Sequence, residues 1–297
     1  MSGPALSRGE REAPVKIRRA LPEDGTICGA ICYAAFRKVN ADHGFPPDIP
    51  EPQRAILMLT YLFAHPGYYC VVAESGGRVL GSNCLDERSA IAGIGPITID
   101  PEAQNASVGR RLMEAVLERA RERGSAGTRL VQAAFHNRSL SLYSKLGFDA
   151  REPLSVMQGP AIRQAVDGCY VRPAVGDDVE ACNRICLKVH GHDRGKELED
   201  GLEQGTAVVA ERSGRITGYS SGMSFFGHTV GESTTDVEAL IAAAEDFGGP
   251  GILVPTRNAA LFRWCLDRGL RVVEPMTLMT TGLYNEPAGA WLPSILF

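Results

Sequence analysis

Residues 104–114 place small and polar side chains directly before a segment with helical periodicity. Ser107 and Gly109 leave little side-chain bulk there, and apolar residues then recur at the spacing of one helix face: Val108, Leu112, Ala115, Val116 and Ala120. The first turn of such a helix carries backbone N–H groups that have no intrahelical partner. These donors, together with the positive end of the helix dipole, bind anions such as phosphate. The segment therefore predicts an anion-binding loop at residues 104–110.

A tyrosine on a second predicted helix could supply a proton. Tyr143 lies in the segment 137–148, with Asn137 as a favourable helix cap and three leucines spaced to pack around the ring. A phenol with a pKa of about 10 can give its proton to a basic atom of a bound ligand. The sequence leaves two interpretations of Tyr143: a general acid, or a half-buried aromatic residue that only packs.

The elements that must position these segments are those of an α/β module. Residues 94–99 alternate as a strand that ends at Asp100-Pro101, and a helix at 108–123 follows the loop. A buried helix is predicted in the apolar run 55–64, after a proline-rich loop at 40–52. The other predicted elements of this half are strands at 15–19, 129–134 and 155–158, helices at 25–38 and 137–146, and a hairpin at 69–85.

This module occurs twice along the chain. The segment Val-Val-Ala-Glu at 71–74 recurs unchanged at 208–211, and such a recurrence indicates two copies of one structural unit. Matches on both sides of it include Arg18, Asp24, Gly147 and Glu152, which recur as Arg172, Asp178, Gly269 and Glu274. The predicted organisation is a flexible or disordered N-terminus at 1–14, a first module at 15–159, a linker at 160–168, and a shortened second module with an apolar C-terminal tail at 169–297.

Composition excludes several classes of function. A chain of 297 residues with 44% hydrophobic residues suits two globular domains, and its net charge of −4 argues against nonspecific nucleic-acid binding. The run 55–64 is far shorter than the roughly 20 residues that span a bilayer, and residues 1–14 lack the apolar core of a signal peptide. Eight cysteines without CxxC spacing fit free thiols in a reducing compartment. We expect a cytoplasmic protein with neither nucleic acid nor membrane as partner.

Four residues of the second module could suggest a metal site: Cys182, Cys186, His190 and His192. The first three are spaced i, i+4 and i+8, and ligands spread over two helical turns converge poorly on one ion. The two cysteines also recur in the first module, where no histidines accompany them. We therefore predict that they are small core residues and that the protein binds no metal.

The segment 97–110 resembles the acetyl-CoA loop of the GCN5-related N-acetyltransferase (GNAT) superfamily, which is summarised as Arg/Gln-x-x-Gly-x-Gly/Ala. Here it reads Gln104-x-x-Ser107-x-Gly109, with serine in place of the first glycine. The run 137–148, with Tyr143 six residues after its first asparagine and Gly-Phe at its end, resembles a second signature of the same superfamily. The resemblance covers the first module and, more weakly, the second.

The resemblance implies a mixed α/β (α+β) fold of two tandem GNAT-like modules, each a mostly antiparallel mixed sheet flanked by helices, with the second degenerate. It implies an acetyl-CoA-dependent N-acetyltransferase whose acceptor, a primary amine of a small molecule or peptide, attacks the thioester directly while Tyr143 acts as general acid. The protein would be a monomer with an internal pseudo-dimer or a homodimer. The residues implied to bind acetyl-CoA are Ile97, Thr98, Ile99, Gln104, Asn105, Ala106, Ser107, Val108, Gly109, Arg110, Asn137, Ser139 and Tyr143.

The sequence does not define the general base. A lysine-like amine needs about 4.6 kcal/mol to lose its proton at pH 7. The strand 94–99, where many relatives keep a glutamate, has no carboxylate, so Asp86 and Glu87 are the nearest candidates, and proton relay through water is the alternative. The loop 40–52 offers His43 and Asp42 as further candidates for the base. Its histidine, Phe45 and its two acids would suit an acceptor with an amine and an apolar portion.

The second module departs from the pattern where the chemistry would be. Cys265 and Ala259 stand at the positions of Tyr143 and Asn137, and the segment before its predicted helix, 231–236, carries two acids that would repel phosphate. We predict that this module binds no coenzyme A and that it shapes the acceptor cleft.

Two alternatives remain open. The serine in the loop and the absent strand glutamate would also suit a noncatalytic acyl-CoA sensor or interaction module. A covalent acetyl-cysteine route would use Cys84 or Cys70, although the sequence shows no group that would activate either thiol.

Overall fold

In the first half of the chain, helices alternate with strands in the predicted order. The computed structural model describes residues 13–104 and 107–296. The elements of this half are β1 (Lys16–Arg19), α1 (Gly25–His43), α2 (Pro52–Ala64), β2 (Tyr68–Ser75), β3 (Arg78–Asp86), β4 (Ile91–Ile94), β5 (Thr98–Ile99), α3 (Val108–Glu122), β6 (Gly127–Ala133), α4 (Asn137–Lys145) and β7 (Asp149–Gln158).

The second half repeats this order in a shorter form, as the repeat in the sequence predicts. Its elements are β8 (Tyr170–Pro173), α5 (Val179–His190), α6 (Gly195–Glu203), β9 (Val208–Arg212), β10 (Arg215–Ser220), β11 (Thr229–Gly231), α7 (Thr234–Ala243), β12 (Ile252–Pro255), α8 (Ala259–Asp267), β13 (Arg271–Gly282) and β14 (Ala290–Leu292).

Three predicted boundaries were wrong in ways that affect the site. The strand predicted at 94–99 is divided into β4 and β5, with Pro96, which has no N–H to give to a ladder, between them. Helix α1 runs to His43 and ends at Gly44, whose φ of +75° suits a glycine, so the loop that follows is shorter than predicted. Strand β7 begins at Asp149 rather than at 155.

The repeat is visible in an ion-pair triad that both modules contain. Arg18 donates to Asp24 at 2.7 Å and to Glu74 at 2.9 Å. In the second module, Arg172 makes the same contacts with Asp178 at 2.7 Å and with Glu211 at 2.8 Å. Each triad fixes the first strand of its module against the start of the following helix and the adjacent strand, so the repeated residues hold equivalent positions in the fold.

The larger sheet contains strands from both halves of the chain. Its order is β1-β2-β3-β4-β6-β13-β7-β12, with β5 paired to β3, while β14-β11-β10-β9-β8 form the second sheet. Strand β13 lies between β6 and β7 and is antiparallel to both, so that Met276 pairs with Ala133 on one side and with Leu154 on the other. The fold class is confirmed. The larger sheet, however, combines strands that precede the predicted linker at 160–168 with strands that follow it.

Helices cover both faces of the larger sheet. One apolar cluster packs α3 and α4 on the sheet through residues that include Leu112, Val116 and Tyr143. A second cluster packs α1 and α2 on the opposite face and contains Cys28 and Cys32. Cys182 and Cys186 occupy the equivalent core of the second module, as the repeat predicts. No helix in the described part of the chain is long and apolar enough to cross a membrane.

Candidate active site

A cavity of about 440 Å³ opens where two parallel strands separate. Strands β4 and β6 pair only over Ile91–Gly93 and Gly127–Arg129. Beyond that point, residues 94–99 line one wall of the cavity and residues 130–133 line the opposite wall. The backbone of strand ends that have lost their partners is thereby available to a ligand.

The anion-binding loop lies at one end of this cavity. Ser107 is the N-cap residue of α3 and adopts a left-handed conformation, with φ of 60° and ψ of 11°. A Cβ on Gly109 would approach Ile99 Cδ1 to 3.2 Å, so a larger residue there would crowd the loop against β5. Arg138 Nη1, from α4, donates to Gln104 Oε1 at 3.0 Å and adds a positive charge beside the loop. This end of the cavity therefore combines a helix N-terminus with cationic side chains.

Ser107→Gly is expected to tighten the binding of coenzyme A. A left-handed conformation costs a non-glycine residue roughly 1–2 kcal/mol, and glycine adopts it freely. Without a Cβ, the backbone N–H groups of the loop can also approach a phosphate more closely, and a gain of about 1 kcal/mol from these contacts would lower the dissociation constant about fivefold. Titration calorimetry with coenzyme A would measure the change, with Ser107→Ala as control because alanine keeps the Cβ. Equal or weaker binding by the glycine variant would show that the serine has no cost.

Tyr143 lies in the same cavity with its ring in the core. The residue is 8% exposed, and its ring centroid is 6.3 Å from that of Phe148. Burial raises the pKa of the Tyr143 phenol above its ordinary value. The phenol is therefore protonated at neutral pH and can donate a proton to a group in the cavity.

The structure brings most of the residues implied to bind acetyl-CoA to this cavity. Asn137 begins α4 and is not among the lining residues, and Asn105 and Ala106 lie outside the described residues. Arg138 and His136 also line the cavity and were not predicted. Their positions on either side of Asn137 in the sequence could have indicated them. The predicted residues that line the cavity are Ile97, Thr98, Ile99, Gln104, Ser107, Val108, Gly109, Arg110, Ser139 and Tyr143.

The structure places the two predicted base candidates outside the cavity lining. Glu87 accepts hydrogen bonds from Arg119 at 2.8 Å and from Arg123 at 3.2 Å. Asp86 accepts a hydrogen bond from Arg88 at 2.9 Å. Both carboxylates therefore contact arginines of the protein, and neither lines the cavity.

His43 and Phe45 lie beside the cavity without lining it. Phe45 stacks on Phe135 with ring centroids 4.1 Å apart, and His43 lies 5.2 Å from the same ring. Their contact with the cavity is indirect, through His136, whose ring is 6.2 Å from that of His43. They form part of the wall behind the region of the cavity that Asn40 and Asp48 line, which we call the acceptor end.

The acceptor end is lined by residues from both halves of the chain. Asp48 and Asn40 come from the first half, where Asn40 Nδ2 donates to Asp48 Oδ1 at 2.8 Å. The prediction that the second module shapes the cleft named no residues, because the lining residues of that half reach the cavity through contacts between segments that are distant in the sequence. Those residues are Phe225, Phe226, Met276, Ile295 and Leu296.

The C-terminal tail docks across the two modules. Strand β14 pairs with β11, and Ile295 N donates to the carbonyl oxygen of Phe225 at 2.8 Å. A Cβ on Gly93 would lie 2.0 Å from the carbonyl oxygen of Leu296, so the tail passes directly over β4. The apolar tail thus closes one side of the acceptor end.

The helix of the second module that corresponds to α3 begins differently. Its cap residue, Ser233, accepts a hydrogen bond from Asp236 N, and the fully buried Asp236 accepts one from Thr217 at 2.6 Å. A carboxylate of the protein therefore already lies at the N-terminus of α7, whereas Ser107 makes no side-chain cap at α3.

Among the described residues, no group of three or more His, Cys, Asp or Glu side chains is placed to hold a metal ion.

The buried cysteines near the site are unsuited to nucleophilic attack. Cys70 and Cys84 face each other across β2 and β3, and both are fully buried or nearly so. Burial raises the pKa of the Cys84 thiol well above its ordinary value, so this thiol stays protonated. The structure therefore gives no support to a covalent acetyl-cysteine route through Cys84.

Comparison with known proteins agrees with this architecture. The sequence model of the Acetyltransferase (GNAT) family matches residues 33–148, which include the anion-binding loop and Tyr143. Among proteins of curated function, none matches the chain in sequence.

Several solved structures share the fold over almost the whole chain. A protein from Pyrococcus horikoshii assigned as an acetyltransferase has 18% identity and a TM-score of 0.72, and the match covers 96% of this chain and 97% of that one. A GCN5-related N-acetyltransferase from Sphaerobacter thermophilus has 15% identity and a TM-score of 0.60, with 92% and 96% covered. A tandem GNAT protein from the clavulanic acid biosynthesis pathway has 12% identity and a TM-score of 0.54, with 91% and 98% covered.

These identities are too low to transfer an acceptor, but they show the fold. A whole-length match to a tandem protein also accounts for the repeat and for the two ion-pair triads. Together with the family match over the first module, they lead to one conclusion. Residues 33–148 match the Acetyltransferase (GNAT) family in sequence, and the chain as a whole has the fold of a tandem GNAT protein.

Proposed function

We propose that the first module transfers the acetyl group of acetyl-CoA to a primary amine. One observation carries the proposal: the anion-binding loop before α3 and the protonated phenol of Tyr143 line the same cavity. The pyrophosphate of coenzyme A would bind the N–H groups at the start of α3, beside Arg138. The rest of the cofactor would extend between the separated ends of β4 and β6, with the thioester toward Tyr143.

The chemistry requires one bond to form and one to break. The neutral amine attacks the thioester carbonyl carbon, the C–N bond forms, and the C–S bond breaks with its electron pair on sulfur. Tyr143 gives its proton to that sulfur, and the proton lost from nitrogen restores the phenol. Such general acid catalysis typically contributes about 10²–10⁴-fold to the rate.

The second module acts in this proposal as a structural partner that completes the cavity. Its Asp236 lies at the helix N-terminus where a phosphate would bind, and Cys265 replaces the tyrosine. Its contribution to the first module is a set of apolar lining residues, among them Phe225 and Met276. The acceptor would therefore combine an amine with an apolar portion.

Release of free thiol from acetyl-CoA across a panel of primary amines tests the proposal. We expect turnover with amines that carry an aliphatic or aromatic body and little with ammonia or glycine. Mass spectrometry of the product should show a gain of one acetyl group on the amine nitrogen. Tight binding of acetyl-CoA without turnover on any amine would instead support an acyl-CoA sensor.

A further inference from the structure

Two carboxyl groups, one from each module, meet at the acceptor end of the cavity. Asp48 lines the cavity, and Glu274 extends from β13 with only 1% of its surface exposed. Glu274 lies two residues before Met276, which lines the cavity, and alternate residues of a strand share a face. The side chains are in hydrogen-bond contact, and burial beside Asp48 raises the pKa of Glu274 to about 9. A proton held on Glu274 and shared with Asp48 fits this shift.

The described protein supplies no cation to this pair. The groups that act on the two carboxyls are each other and Asn40, which donates to Asp48. No N–H or hydroxyl group in the described ranges donates to either oxygen of Glu274. A buried carboxylate without a counter-ion loses much of its solvation free energy. The arrangement is therefore one that a positively charged ligand would stabilise.

The equivalent carboxyl of the first module lies on β7, which pairs with β12 of the second module, and it already has a cation beside it. Glu152 is the repeat equivalent of Glu274, and it is 4% exposed on β7. Arg257 lies 3.3 Å from Glu152, and the residue that corresponds to Arg257 in the first module is Phe135. An arginine of the protein thus neutralises the carboxyl in one module, while the equivalent position in the other module carries no charge.

The cavity contains further polar atoms that have no partner in the protein. Gln132 Oε1 and Thr98 Oγ1 are both buried, at 3% exposure each, and accept no hydrogen bond from the described residues. Both residues line the cavity together with Asp48. Buried polar atoms are normally satisfied, so these acceptors indicate a ligand that carries N–H donors.

We propose that Asp48, supported by Glu274, binds the ammonium group of the acceptor, so that both modules form one substrate site. The inference rests on the proposed acetyl transfer and specifies its substrate as a cationic amine with an apolar body. Asp48 then accepts one proton from the ammonium group, which leaves the neutral amine for attack on the thioester, and Asp48 returns that proton to solvent. The apolar body would lie against Phe225 and Met276.

A pair of probes that differ only in charge tests this site. Phenethylammonium and 2-phenylethanol have nearly the same shape, and their binding to the full chain would be measured by calorimetry at pH 7, with and without coenzyme A. We expect the ammonium probe to bind at least about tenfold more tightly, because one buried charge pair contributes more than 1.4 kcal/mol. Equal affinities for the two probes would overturn the proposal.

Variants of the pair separate the two roles. Asp48→Asn should abolish the preference for the ammonium probe. Glu274→Gln keeps a donor to Asp48 and should preserve the preference, whereas Glu274→Leu removes the donor and should reduce it at least threefold. A preference that survives Asp48→Asn would overturn the site, and one unchanged in Glu274→Leu would overturn the contribution of the second module. Glu51→Gln removes an exposed charge from the same loop and serves as the matched control.

A gain of charge gives an independent test. Phe135→Arg copies into the first module the arginine that the second module carries as Arg257. We expect the new guanidinium to occupy the site and remove the preference for the ammonium probe, with thermal unfolding as a check on the fold. A folded Phe135→Arg variant that retains the preference would contradict the proposal.

The binding tests do not depend on turnover. Preferential binding of phenethylammonium without acetylation of any amine would uphold the pair and refute acetyl transfer. Acetylation of amines without any difference in affinity between the two probes would uphold acetyl transfer and refute the carboxyl pair as an ammonium site. The two proposals can therefore fail separately.

Discussion

Tyr143→Phe is expected to lower kcat for amine acetylation by about 10²–10⁴-fold, the usual contribution of a general acid. The variant loses the oxygen that would protonate the thiolate but keeps the ring that packs on Phe148. Binding of acetyl-CoA and the unfolding temperature should therefore change little. Stopped-flow measurement of thiol release would give kcat, and calorimetry would give the affinity for the cofactor.

Tyr33→Phe is the matched control for this variant. Tyr33 is partly buried in the cluster under α1 and α2 and does not line the cavity. Its replacement removes the same atom and should leave kcat unchanged. Unchanged turnover in Tyr143→Phe would remove Tyr143 from the mechanism. Because burial raises the pKa of Tyr143, ionisation of this phenol should not limit kcat below about pH 10.

The fragment 1–159, which is the predicted first module alone, is expected not to fold. It lacks β13, which pairs with β6 on one side and with β7 on the other. It would also expose the apolar side chains that pack against Met276, Leu278 and Met279, three residues that are each at most 4% exposed in the full chain. Burial of three such side chains contributes roughly 5–9 kcal/mol, which is comparable to the whole stability of a domain. Circular dichroism and thermal unfolding of the fragment would measure the loss.

Complementation provides the control for the fragment. Coexpression with residues 160–297 should restore a soluble complex, because the missing strand is then supplied in trans. A fragment 1–159 that unfolds cooperatively near the temperature of the full chain would show that β13 is dispensable. In that case the module boundary predicted from the repeat would also be the boundary of independent folding.

Local patterns in the sequence were sufficient for the anion-binding end of the site. The periodicity of α3, the small residues before it and the position of Tyr143 depend on neighbours within a few turns, and they appear in the structure as predicted. The sequence predicts a loop from residue 40, because Asn40 and Asp42 have low helix propensity, whereas α1 continues to His43. That error hid the position of Asp48, which Asn40 fixes from the last turn of the helix.

Pairing between distant strands could not be predicted from these patterns. Strands β7 and β13 are repeat equivalents with similar residues. Their local sequences therefore do not show whether β7 or β13 pairs with β6. The Glu152 and Glu274 match was visible in the sequence, but its meaning depends on which cavity each strand reaches. The acceptor end was therefore beyond sequence reasoning, since it is formed by contacts between residues more than 200 positions apart, such as Asp48 and Glu274.

The place of β13 between β6 and β7 also sets a delay in biosynthesis. When residue 159 has been added, β6 and β7 both lack the strand that joins them, and 123 further residues must follow before Gly282 completes it. At about 5–20 residues per second, this interval lasts roughly 6–25 s. During that time the nascent chain presents one unpaired edge of β6 and both edges of β7, and such edges promote aggregation and are surfaces that chaperones bind. The same exchange that joins the two modules therefore makes the first half of the chain depend on protection until the last strands emerge from the ribosome.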